Sequence, residues 1–87
     1  MVRQPLTQEQ IEAGRRLGAL LRAARAHRDL TEIARTAGIS PETLRKIETG
    51  RLPSPSFGTI VRLSQALNLP LHHLATPYQN TPAKSVG

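Results

Sequence analysis

The side chains able to carry chemistry in this 87-residue chain are three histidines, six carboxylates and twelve Lys and Arg residues. His72 and His73 are adjacent, and neighbours along a helix do not face one another, so they make a poor metal pair. His27 stands far from both in sequence, and plain surface histidines explain all three. Asp29 and Glu32 have the look of paired carboxylates. The same spacing at the head of a helical stretch is a capping box, which accounts for both. The sequence holds no Gly-rich phosphate loop and no supported Ser/His/Asp set, and so small a core leaves little room for a catalytic pocket. These observations argue against an enzyme, and no metal and no cofactor is expected.

The cations remain. Net charge is +6, and ten of the twelve basic residues are Arg. Arg forks onto phosphate and guanine, so nucleic acid is one implied partner; an acidic protein or an anionic membrane surface stays open on charge alone. The only aromatic rings outside histidine are Phe57 and Tyr78. That argues against binding RNA or single strands through stacked bases, which needs several exposed rings. No Cys is present, so there is neither a disulfide framework nor a thiolate metal site. The sequence shows no apolar run near the roughly 20 residues that span a bilayer, and MVRQPLTQEQ lacks a secretory h-region. The expectation is a cytoplasmic protein of one domain, without a membrane partner.

These cations must be positioned by helices, because the punctuation is helical throughout. Thr7-Gln8-Glu9-Gln10 is a capping box, and Leu6 and Ile11 are placed as a hydrophobic staple. The stripe Ile11, Leu17, Leu20, Leu21 and Ala24 then predicts a long first helix. Gly14 and Gly18 each weaken it by up to about 1 kcal/mol relative to Ala; close packing and a bend are the two open explanations. Asp29 starts a second helix, with Ile33, Ala34 and Ala37 inward and Gly38 as the left-handed stop. Ser40-Pro41 starts a third as N-cap and N1, with Leu44 and Ile47 inward and Gly50 as the stop. Ser56 caps a fourth, with Ile60, Val61, Leu63, Leu67 and Phe57 as inward candidates, and Asn68 ends it. Leu71–Ala75 is a last short turn in which Leu71 and Leu74 seal the core. The expected division is an arm at 1–7, a five-helix all-α domain at 8–75 (helices at about 8–28, 30–37, 41–49, 57–67 and 71–75) and a flexible polar tail at 76–87.

Helices 2 and 3 with the Gly-containing turn between them make a helix-turn-helix. From about Leu17 to Ala75 the chain resembles the Cro/CI-type (XRE) family of DNA-binding regulators. The resemblance rests on Ile33-Ala34 through Gly38-Ile39-Ser40, on Ile47-Glu48-Thr49-Gly50, on Pro55-Ser56 and on Leu63-Ser64-Gln65-Ala66-Leu67. It implies a lambda-repressor-like domain that binds double-stranded DNA as a homodimer, typically as a repressor, with helix 3 in the major groove. Carried over by position, Pro41, Glu42 and Lys46 match base-reading sites, flanked by Thr43 and Arg45. Lys46 suits guanine O6 or N7, Glu42 suits cytosine N4, and Pro41 offers apolar contact only. Ser40, Arg51, Ser54, Ser56 and Arg35 are the phosphate candidates, Ser40 being first of all a cap; Arg28 is a weaker one. The resemblance also implies an ion pair between Glu48 and an Arg of helix 1, for which Arg22 is the candidate. Two departures stand out: Leu30 begins helix 2 and Pro41 begins helix 3, where many members carry Gln. Gln8 to Arg16 precedes the minimal family domain. Leu71, His72 and Tyr78 are candidates for a dimer surface. The competing reading is an antitoxin or accessory module whose helices grip a toxin or another regulator.

Overall fold

The structure, a computed structural model, describes residues 6–79. Five helices follow in order: α1 Gln8–Arg25, α2 Leu30–Ala37, α3 Pro41–Glu48, α4 Phe57–Leu67 and α5 Leu71–Gln79. No strand occurs among the described residues. The expected all-α, five-helix architecture is therefore present. Of the arm expected at 1–7 and the tail expected at 76–87, residues 1–5 and 80–87 lie outside the described residues.

The starts are set by side-chain caps. Thr7 accepts from the Gln10 N–H while the Gln10 side chain accepts from the Thr7 N–H, closing the capping box in both directions. Asp29, Ser40 and Ser56 accept from the N–H groups of Glu32, Thr43 and Thr59. Each cap satisfies one donor that the first turn leaves without an intrahelical partner. Gly38 (φ 75°) and Asn68 (φ 58°) take the left-handed stop.

Two ends differ from expectation. α1 stops at Arg25 rather than near residue 28, because Ala26 takes φ 56° and ψ −125°. A residue with a Cβ pays for that conformation; here it turns the chain so that Asp29 can cap α2. α5 continues through Pro77 to Gln79, past the expected end at Ala75. Pro77 is buried in the last turn, and its carbonyl accepts from Arg16 Nη2 at 2.9 Å, tying α5 to α1.

α1 packs on α3 and α5, and α2 on α3 and α4. Leu17 and Leu21 of α1, Ala34 of α2, Leu44 and Ile47 of α3, Leu63 of α4 and Leu74 of α5 meet fully buried at the centre. The two α1 glycines are there for close approach: Gly14 abuts Pro53, and Gly18 abuts the Ile47 and Glu48 carbonyls at the end of α3. Two inward assignments fail. Phe57 is 72% exposed and Leu71 38% exposed, so Leu74 alone of the α5 pair seals the core. Phe57 is the first residue of α4, one turn ahead of Ile60, the first α4 side chain packed against the core.

Candidate nucleic-acid interface

α3 is held from behind. Leu44 and Ile47 are fully buried, and its C-terminal end rests on α1 at Gly18. Ser40 Oγ takes the Thr43 N–H at 3.0 Å and donates to Thr43 Oγ1 at 2.8 Å, so both hydroxyls at the start of α3 are oriented. At the other end the Thr49 N–H bonds to the Arg45 carbonyl, Gly50 turns at φ 83°, and the Leu52 N–H returns to the Lys46 carbonyl at 3.0 Å.

With the back and both ends fixed, the remaining residues line one outer surface. Glu42 and Arg45 are exposed, and Pro41, Thr43 and Lys46 are half-buried. Lys46 Nζ lies 3.9 Å from Glu42 Oε2, one turn apart along the helix. Such exposed pairs are weak, of the order of 0.3–0.5 kcal/mol, so a ligand can separate them at small cost. Arg51 and Ser54 are exposed in the segment between α3 and α4, and Ser56 caps α4 while donating to Thr59 Oγ1 at 3.0 Å. Arg35 sits on α2, 3.6 Å from Glu32 in an exposed pair. Ser40 and Ser56 both act as caps, and Thr43 shares its hydroxyl with Ser40.

The buried ion pair is formed, but not by the expected arginine. Glu48, whose side chain is 5% exposed, receives Arg25 Nε at 2.7 Å on one oxygen and Arg25 Nη2 at 2.9 Å on the other. Arg25 Nη1 also donates to the Arg28 carbonyl at 2.8 Å. The hydrogen bond to Glu48 raises the Arg25 pKa above its ordinary value, against a lowering by burial, and the charges of Glu48 and Asp29 add to the rise. Arg22 lies one turn earlier, exposed, beside Glu48 in an open cleft without bonding to it. Because α1 ends at Arg25, it is the final residue of the helix that overhangs the carboxylate.

His72 and His73 were expected not to face each other, yet their rings meet edge-on with centroids 4.7 Å apart. Among the described residues no group of three or more His, Cys, Asp or Glu side chains is placed to hold a metal. No helix among them is long and apolar enough to cross a membrane.

Two helices joined by a tight glycine turn, the second carrying an exposed polar face on a buried apolar anchor, define a helix-turn-helix domain. The chain belongs to that family: the profile described as "Helix-turn-helix domain" matches residues 16–76. Among solved structures it is similar to the clp gene regulator ClgR from C. glutamicum, with a TM-score of 0.63 and 28% sequence identity over 94% of this chain and 100% of that one. No curated protein gives a match. The resemblance to Cro/CI-type helix-turn-helix regulators drawn from the sequence is borne out.

Proposed function

We propose that this protein is a sequence-specific regulator of transcription that binds double-stranded DNA with α3 in the major groove, as a homodimer and as a repressor. The observation that carries the reading is the division of α3. Its apolar side and both ends are consumed by packing and capping, and its free side presents Pro41, Glu42, Thr43, Arg45 and Lys46 without any packing duty for the two exposed ones. Base edges are read by Lys46 and Glu42, with Arg45 beside them; each well-made bidentate contact discriminates by about 1–3 kcal/mol, and a Lys contact falls at the low end. Arg51, Ser54, Ser56, Ser40 and Arg35 serve the backbone, which carries most of the affinity. The likeness to a gene regulator along nearly the whole chain supports the regulatory role.

The homodimer is supported by an apolar cleft of about 280 Å³ between the start of α4 and α5, lined by Phe57, Ile60, Leu71, Leu74 and Tyr78. Two of the three large hydrophobics exposed among the described residues, Phe57 and Leu71, stand on it. A two-fold interface must be complementary to itself, and a protruding ring beside a hollow meets that need. The same cleft supports the second reading, in which a toxin or other regulator occupies it.

Selection of genomic fragments with the purified protein, followed by a salt titration, tests the reading. A protein using about six phosphates gives a log–log slope near −5. Half-sites about 34–36 Å apart indicate the dimer. Equal affinity for selected and scrambled duplexes refutes sequence-specific binding.

A further inference from the structure

Five cations make no hydrogen bond or ion pair among the described residues: Arg15, Arg22, Arg45, Arg51 and Arg62. The others are engaged: Arg25, Arg35 and Lys46 meet carboxylates, while Arg16 and Arg28 donate to main-chain carbonyls. Four of the five free ones gather at one place, the C-terminal end of α3. Arg45 is in its last turn and Arg51 follows its stop. The Arg15 stem lies across Gly50, its Cγ 3.2 Å from where a Cβ would stand. Arg22 shares with Arg15 the walls of an open cleft of about 640 Å³ whose floor includes Glu48 and Thr49. Glu48 is the sole carboxylate there, and Arg25 already neutralises it.

We infer that α1, which lies outside the helix-turn-helix pair, carries a second phosphate-binding track formed by Arg15 and Arg22. The inference rests on the DNA-binding reading. Thr49, the exposed C-cap of α3 one turn after Arg45, lines this cleft, so the outer surface of α3 adjoins α1 there. A strand leaving α3 at its C-terminal end passes over that cleft. Seven residues separate the two arginines, about two helical turns or roughly 10.5 Å of rise, so each takes a different phosphate. The shallow, open shape and the absence of apolar walls beyond Ala19 and Ala23 suit a mobile guanidinium on a backbone oxygen better than a buried side chain from a protein partner. The competing role is structural: cations near a helix C-terminus complement its dipole, and that role shows in stability rather than in salt dependence.

The test compares the intact chain with Arg15→Ala/Arg22→Ala, with Arg15→Lys/Arg22→Lys and with Arg62→Ala, measuring affinity for the selected duplex across salt and melting temperature without DNA. Each lost phosphate contact removes about 0.9 from the log–log slope. The double Ala variant is expected to lose about 1.8, so the ratio of its affinities at about 50 and 200 mM salt shrinks roughly 12-fold. Its preference for selected over scrambled duplex and its melting temperature stay those of the parent, the Lys pair restores the slope, and Arg62→Ala matches the parent. An unchanged slope in the double Ala variant, an equal loss in Arg62→Ala, or an affinity loss that follows a lowered melting temperature overturns the track. A parent protein with no salt-dependent duplex binding overturns the underlying DNA reading instead.

Discussion

Replacing Gly18 with Ala sets two effects of known size against each other. In a helix interior the exchange ordinarily stabilises by about 1 kcal/mol through propensity. Here the new Cβ would stand 2.5 Å from the Ile47 and Glu48 carbonyl oxygens and 2.8 Å from the Glu48 carbonyl carbon. Ordinary contact begins near 3.4 Å, so α1 and the end of α3 must part by nearly an ångström. The obstructing atoms are backbone, which cannot swing aside as a side chain can. Overpacking of this kind costs about 1–3 kcal/mol, more than propensity returns. With backbone set against backbone the cost falls in the upper part of that range, about 2–3 kcal/mol, so the net expectation is a loss of about 1–2 kcal/mol, or about 4–16 °C in melting temperature for a domain of this size. Gly58→Ala is the control, since nothing lies within 4 Å of its Cβ position in α4; it should be neutral or stabilising by up to about 1 kcal/mol. Urea unfolding of both variants decides the matter. A Gly18→Ala protein as stable as the parent, or more so, would refute the close seating of α3 on α1.

Arg25→Ala and Glu48→Ala should each cost about 3–5 kcal/mol by stranding the partner charge, toward the lower figure because the Arg25 side chain is still 17% exposed. Arg22→Ala should leave the melting temperature unchanged; equal losses in Arg22 and Arg25 variants would contradict the pairing. Ser40→Ala removes the α3 cap and should cost about 1 kcal/mol, seen as faster amide exchange of Thr43 than in the parent. Tyr78 donates to the Pro53 carbonyl at 2.7 Å, and burial holds its phenol above the ordinary value. The folded protein thus keeps a proton that the unfolded chain releases near pH 10. The contribution to stability is whole below about pH 10 and is lost as pH climbs through the raised value. Tyr78→Phe should cost about 1 kcal/mol at neutral pH and flatten that alkaline decline. The chain has one Tyr, so an absorbance titration follows it alone; a midpoint at or below the unfolded value would contradict the burial.

What the sequence displayed well was whatever is decided within a few residues. Gly38, Ser40-Pro41, Ser56 and Asn68 mark their own positions, since a cap or a left-handed stop needs only its neighbours, and the α2 and α4 bounds and the start of α3 follow from them. Arg25 was not legible in the same way. Arg22 and Arg25 lie on adjacent turns, and choosing between them requires knowing that Ala26 ends α1 with a positive φ, which no Gly or Asn announced. Phe57 misled through its type: an aromatic at the first position of a helix lies ahead of the turn that packs. The α5 end was hidden by Pro77, which reads as a breaker but sits in a last turn where the Arg16 bond and burial retain it. Arg15 carried no signal at all, because its surroundings depend on Gly50 arriving beneath it from the turn after α3.

The division of labour within α3 has a consequence for how such a molecule can diverge. Seating is the business of Leu44, Ile47, Glu48 and the Ser40 cap, while Glu42 and Arg45 touch none of the core. Mutations at those outer positions leave the stability of the fold nearly untouched, since exposed substitutions usually stay within about 0.5 kcal/mol. The lineage can then explore new outer residues by single steps, each viable as a folded protein before it is useful. A duplicated copy is free to drift toward a different target without first acquiring stabilising mutations elsewhere.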